Sequence, residues 1–198
     1  MKPFVFQRNS EALMALYHHS PTSYLPGGYT FRGATLSDLA SIVYLLNQRQ
    51  LTETAFRADE FRQEWQARRF NPALDARLVF DPREVLVGYL QFWMDDNHPM
   101  LWGCVHPAFE GRGIGSALLR WGEARARLAL DQFPVSLWAA PHFSTLPVQR
   151  ARELAESLGW QKILPQKAEI KKVTGALHLP ETADLQYDVY EKAIEQLN

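Results

Sequence analysis

The chain has 198 residues, 46% hydrophobic and 22% charged, which is enough for one full hydrophobic core and unlike the composition of a disordered protein. Its 21 lysines and arginines balance 22 aspartates and glutamates, leaving no cationic surplus to hold nucleic-acid phosphates or anionic lipid. The single Cys104 excludes an internal disulfide, no apolar run reaches membrane-spanning length, and the start Met1 to Arg8 turns polar too early for a secretory signal, so a cytoplasmic location is expected.

Residues 1–28 read as a helical extension, Glu11 to Tyr17 in outline, and a linker punctuated by Pro21, Pro26, Gly27 and Gly28. Residues 29–198 read as one domain. Tyr29 to Ala34 suits a first strand, and Thr35-Leu36-Ser37-Asp38 opens a helix with Leu39, Ile42, Val43 and Leu46 on one face. A second helix is predicted over 54–69. Leu78 to Phe80 and Val85 to Trp93 form an antiparallel pair across Asp81-Pro82-Arg83-Glu84. Met100 to Val105 is the next strand, and a long helix runs from Ile114 to about Leu128. Val135 to Ala139 reads as a buried strand, and Thr145 to Leu158 as a helix with Pro147 near its start and Gly159 as its cap. At the end, Gln186 to Glu191 suits a strand, while Tyr187, Tyr190, Ile194 and Leu197 also recur at helical spacing; strand then helix is the reading adopted.

Between Val105 and Leu119 the pattern passes from strand end through a glycine turn to a helix start. Glycines at 111, 113 and 115 let the backbone curl with its NH groups inward, and the helix opening at Ile114 adds its unsatisfied NH groups and the positive end of its dipole. Such a turn suits an anionic phosphate. A P-loop would require Gly-Lys-Ser/Thr, a dinucleotide fingerprint G-x-G-x-x-G, and a kinase loop a strand in place of the following helix; none fits.

The run Val105-x-Pro107-x-x-Glu110-Gly111-x-Gly113-Ile114-Gly115-x-x-Leu118-Leu119 resembles the acyl-coenzyme A loop of the GNAT superfamily of N-acetyltransferases, V-x-P-x-x-(R/Q)-G-x-G-(I/V)-(G/A)-x-x-L-L. Glu110 departs from it, setting a carboxylate where the family has Arg or Gln, with Arg112 two residues on to offset it. The resemblance extends more loosely from Tyr29 to Lys192. It implies an α/β (α+β) fold: a mixed, mostly antiparallel sheet of six to seven strands flanked by helices on both faces. It also implies acetyl-CoA as co-substrate and direct attack of an amine on its thioester. By the same resemblance the NH of Gly103 is expected to meet the thioester carbonyl, Val105 to pair with the pantetheine arm, and Gly111, Arg112, Gly113, Ile114, Gly115 and Ser116 to surround the pyrophosphate.

The family's general acid is missing. Its tyrosine position aligns with Ala155, its asparagine with Val148, and the glutamate that some members carry aligns near Pro99. His142, in the loop after the fifth strand, is the first candidate substitute, since an ordinary imidazole titrates near neutrality. Asp95, with Asp96 and His98 between the third and fourth strands, is the second. A solvated loop histidine and a solvated polar turn are the plainer readings of both. His106 reads as structural and Cys104 as a small buried hydrophobe; Trp93, Trp102 and Trp138 read as core. No metal site is expected, because nothing resembles H-E-x-x-H or paired C-x-x-C.

The expected activity is transfer of an acetyl group to the primary amine of a small molecule or peptide, without nucleic-acid or membrane partners and with a homodimer left open. The alternative is an acyl-CoA-binding or sensing module that has lost its catalytic groups, and a scaffold binding no coenzyme is the third reading.

Overall fold

The computed structural model describes residues 25–48, 55–67, 70–95, 98–129, 135–141, 148–163 and 189–194. The strands are β1 (Thr30–Gly33), β2 (Ala76–Phe80), β3 (Leu86–Asp95), β4 (His98–Val105), β5 (Val135–Pro141), β6 (Gln161–Ile163) and β7 (Val189–Ile194). They build one seven-stranded sheet in the order β1-β2-β3-β4-β5-β7-β6. Each neighbouring pair is antiparallel except β4 and β5, which run parallel. This is the mixed, mostly antiparallel sheet expected from the sequence.

Helices cover both faces. On one side lie α1 (Leu39–Asn47) and α2 (Ala58–Ala67), and α3 (Pro72–Asp75) is a single turn before β2. On the other lie α4 (Ile114–Ala129) and α5 (Val148–Ser157). Strand alternation sorts the core into two layers. Tyr89, Trp93, Met100, Trp102 and Cys104 pack with Leu39, Ile42, Leu45, Leu46, Phe61 and Trp65. Leu90, Phe92 and Leu101 pack with Ile114, Leu118, Trp121, Ala155 and Trp160. A bulge breaks the alternation once: Val79 pairs with Gly88 but Phe80 with Leu86, so Val87 is an extra residue that turns to the α4 side.

Local chemistry accounts for the ends of these elements. Thr35 and Asp38 form the reciprocal capping box, and Asp38 also receives both terminal nitrogens of Arg32 at 2.8 and 2.7 Å. That guanidinium chiefly, opposed by burial and helped by Thr35, lowers the Asp38 carboxyl from 3.8 to about 2. In the β2–β3 turn the Asp81 carboxylate accepts the NH groups of Arg83 and Val85, both at 2.9 Å. Asn47 closes α1 by exchanging two side-chain bonds with the Phe56 backbone. Gly159, at φ 81°, ends α5 in the left-handed conformation.

Several boundaries differ from expectation. The second helix spans Ala58–Ala67, inside the predicted 54–69. The last strand, expected over Gln186 to Glu191, is described over Val189–Ile194, so Tyr190 lies on it as expected while Ile194, read as part of a following helix, lies on it too; a spacing of four puts two residues on one face of a strand as well as of a helix. The short β6 and α3 had no predicted counterpart. The extension over Glu11 to Tyr17, the end of the predicted terminal helix at Leu197, and Thr145 to Pro147 lie outside the described residues.

Two outcomes follow for stability. Glu84 adopts φ 61°, a left-handed conformation that strains a side chain carrying Cβ. Glu84→Gly is expected to stabilise the fold by about 1 kcal/mol, a rise in melting temperature of about 2–4 °C in a thermal scan. For Asp38 the folded value lies below the unfolded one, so its contribution is present above about pH 4 and is lost as pH falls through about 2. Asp38→Asn should cost on the order of 1 kcal/mol at neutral pH, allowing for solvent screening at the half-exposed Arg32, and denaturant titrations should find the deficit vanishing toward pH 2.

Candidate active site

The candidate site lies at the carboxyl ends of β4 and β5. The parallel register described between them runs from Met100↔Trp138 to Gly103↔Pro141, Pro141 being the last described residue of β5, and β4 continues against β3 as far as Val105↔Gly88. His106 donates its NH to the Val87 carbonyl at 2.8 Å, so alternation directs the NH groups of Val105 and Gly103 to the opposite edge, the β5 side. At Gly103 the two strands press together: a Cβ there would run into the Tyr89 carbonyl oxygen and stand 2.7 Å from the Leu90 Cα.

Past Val105 the chain makes a tight turn. The His106 Nδ1 accepts the NH of Ala108 at 3.2 Å, and a 3-10 turn spans Pro107–Phe109. His106 is thus structural, as expected. Gly111 and Gly113 then adopt φ 76° and 81°, conformations that glycine takes without strain. Space in front of Gly111 is open, since a Cβ there would meet nothing within 4 Å. The first hydrogen bond of α4 runs from the Ala117 NH to the Gly113 carbonyl, so the NH groups of Ile114, Gly115 and Ser116 precede the helical ladder. The left-handed glycines, the helix start and the open front together suit the phosphates of a coenzyme.

Arg112 is held at the rim. Its guanidinium lies 4.8 Å above the Phe109 ring and donates to the Tyr29 hydroxyl at 3.3 Å and the Ala108 carbonyl at 3.4 Å. Ala155, at the family's tyrosine position, is 4% exposed in the core of the α4 side, and α4 approaches its helix so closely that a Cβ on Gly115 would stand 2.6 Å from Leu154. Cys104 is buried on the α1–α2 side, away from Val105, and Trp93 and Trp102 are core residues of that layer.

The two candidate acid–base groups are placed differently. His142 lies outside the described residues; it directly follows Pro141, the partner of Gly103. Asp95 pairs with His98 at the far end of the β3–β4 hairpin, five residues along β3 from Leu90, the partner of Gly103. That separation is roughly 16 Å of strand. Among the described residues no group of three His, Cys, Asp or Glu can hold a metal ion, and no helix is long and apolar enough to cross a membrane.

A model of the acetyltransferase (GNAT) family matches residues 41–160, which takes in β4, β5 and the whole glycine turn. The chain belongs to that family. It is an acyltransferase by this membership, and acetyl-CoA as co-substrate accords with it. No curated protein matches the chain. The fold also resembles solved acetyltransferases. A GCN5-related N-acetyltransferase from Sphaerobacter thermophilus is 23% identical with a TM-score of 0.59; 70% of this chain is covered, and the chain spans only 45% of that protein. A phosphinothricin acetyltransferase from Sinorhizobium meliloti, solved with acetyl-CoA, is 18% identical with a TM-score of 0.60 over 85% of this chain and 89% of that one. Spermidine N-acetyltransferase from Vibrio cholerae, solved with CoA and spermine, is 18% identical with a TM-score of 0.57 over 86% and 97%.

The sequence reading missed a set of buried polar groups on the other face of this GNAT sheet. Glu64, 7% exposed on α2, and Tyr89 and Gln91 on β3 are buried in the layer that faces α1 and α2. The signal was present: Glu64 shares one face of its helix with Phe61 and Trp65, three residues before it and one after, where an apolar residue is the norm.

The close approach at Gly103 can be checked directly. Gly103→Ala must separate β3 from β4 and should cost about 1–3 kcal/mol in chemical denaturation, the usual penalty for overpacking.

Proposed function

We propose that this protein is an acetyl-CoA-dependent N-acetyltransferase that acetylates a primary amine by direct attack, and that the glycine turn and β4 hold the coenzyme. The observation that carries the reading is the junction of Gly111 and Gly113 at positive φ with the opened start of α4, set past the carboxyl end of β4, the strand that pairs parallel to β5. On this reading the NH groups of Gly111 to Ser116, with the Ser116 hydroxyl and Arg112, surround the pyrophosphate. Val105 pairs with the pantetheine arm, and the Gly103 NH faces the thioester carbonyl, where a donor lowers the energy of the developing oxyanion.

The reaction then needs little covalent help from the protein. The neutral amine attacks the carbonyl carbon, a C–N bond forms, and the tetrahedral intermediate collapses with loss of the C–S bond. One proton leaves the new amide nitrogen and the thiolate takes up one proton. With a thiol pKa of about 8.5 the thiolate leaves readily near neutrality, so the burial of Ala155 at the tyrosine position slows the step without forbidding it. His142, next to Pro141, is our candidate for accepting the amine proton, and Asp95 at the hairpin end suits contact with a distal part of the acceptor. The acceptors named in the S. meliloti and V. cholerae structures are small, amine-bearing molecules, which supports an amine of that class here.

The buried Ala155 also supports a second reading, a coenzyme sensor without turnover. Calorimetric titration with acetyl-CoA, of the native chain and of Gly113→Val, followed by thiol release in the presence of mixed amines, separates the two. Binding that weakens at least tenfold in the variant, together with amine-dependent thiol release, is expected; binding without release would establish the sensor, and no binding to the native chain would remove the coenzyme assignment.

A further inference from the structure

The segment ahead of β1 folds back onto the side of the sheet that carries the glycine turn. Tyr29 donates its NH to the Pro26 carbonyl at 3.4 Å, and Gly28, at φ 84°, lies so close to the β2–β3 turn that a Cβ there would stand 3.2 Å from the Pro82 Cγ. Thr30 then pairs with Phe80 to begin β1. This path carries Leu25 and Tyr29 to the α4 side, where, like Phe109, they pack against the buried cluster that includes Ile114 and Leu118.

Arg112 stands between two left-handed glycines, on backbone that by itself would leave a long side chain loose. Its guanidinium is nevertheless placed, and by neutral groups: the Phe109 ring 4.8 Å away, the Ala108 carbonyl at 3.4 Å and the Tyr29 hydroxyl at 3.3 Å. Of these, Tyr29 comes from outside the turn, 83 residues away in sequence. Among the described residues no carboxylate pairs with Arg112, Glu110 included, and the two hydrogen bonds occupy only part of its fork of NH donors. The guanidinium is thus oriented but not neutralised, beside a turn that is open in front of Gly111 and leads into a helix start. Its remaining donors suit a phosphate.

We infer that Tyr29 is a positioning residue of the coenzyme site: it holds the Arg112 guanidinium where a phosphate of acetyl-CoA docks, so that the site takes in the segment before β1 as well as the turn between β4 and α4. The inference rests on the transferase reading, which assigns that turn to the coenzyme. A guanidinium ordered before the ligand arrives loses less conformational freedom on binding, and that difference is what Tyr29 contributes. Tyr29 acts through Arg112, so its effect is confined to the phosphate end of the ligand.

The test titrates the full chain calorimetrically with acetyl-CoA and with S-acetylpantetheine, which carries the thioester and most of the pantetheine arm but no phosphate. Tyr29→Phe keeps the ring in its packing and removes the hydroxyl; its Kd for acetyl-CoA should rise about fivefold, while that for S-acetylpantetheine stays within about twofold of native. Arg112→Gln should weaken acetyl-CoA binding by at least about tenfold, and adding Tyr29→Phe to it should change the Kd by less than about twofold, because the hydroxyl then has no guanidinium to hold. A Tyr29→Phe protein that binds acetyl-CoA as tightly as native, that weakens both ligands alike, or that costs the same factor in the Arg112→Gln background would overturn the inference; the last two results are what a merely structural role, or a poorly folded variant, would give. A native chain that does not bind acetyl-CoA removes the coenzyme reading and this inference together. A native chain that binds it, with a Tyr29→Phe variant indistinguishable from native, removes this inference alone.

Discussion

The structure depends on what is asked of β4. It must lie so close to β3 that only glycine fits at 103, pair parallel to β5 from Met100 to that residue, and lead on into the glycine turn. A parallel pair needs a crossover, and here the crossover contains α4. The start of α4 must therefore follow the carboxyl end of β4, the strand with an antiparallel partner on one edge and a parallel one on the other. In open α/β sheets ligands bind outside the carboxyl ends of the strands at a topological switch point, where helix starts and strand ends converge. The glycine turn is brought to that end of the parallel pair by topology.

The helix that opens after the glycine turn is fixed by charge near its other end. Glu123 accepts the Trp160 indole NH at 3.1 Å and the Lys192 ammonium at 2.8 Å, binding α4 to the end of α5 and to β7. Lys192 also donates to the Leu158 carbonyl at the last turn of α5. Arg125, buried above the Phe92 ring, reaches Asp75 at 2.6 Å and ties α4 to the turn before β2. Pairs this deep gain little over an apolar alternative, but removing one member leaves the other charge stranded, at about 3–5 kcal/mol. Between these anchors, Gly122 lets the helix settle on the sheet: a Cβ there would stand 2.5 Å from the Leu101 Cδ1.

The parts legible in the sequence were those where backbone geometry restricts residue choice. Left-handed turns at Gly111 and Gly113 leave glycines in fixed register with a helix start, and the capping box leaves Thr35 and Asp38 three apart. Asp81 and Pro82 announced the β2–β3 turn. What stayed hidden had no such restriction. β6 is three residues long, too short for alternation to show, and the extra residue at Val87 lies between apolar neighbours that suit either face. Tyr190 and Ile194 fit a strand and a helix equally by spacing. Glu64 was passed over because a glutamate in a predicted helix reads as solvated, whereas its burial is a consequence of tertiary packing.

The two faces of the sheet also bear on what the missing tyrosine means. Ala155 belongs to the α4–α5 layer, the side of the glycine turn and the start of α4, and its small side chain lets that layer close over the core. A hydroxyl there would serve the leaving thiolate, the easiest group in the reaction to release. On the transferase reading the harder demand is on the acceptor, since an ammonium that is protonated near neutrality must be deprotonated and aimed before it can attack. On that reading a buried Ala155 at the tyrosine position weighs less on turnover than the way the amine is held.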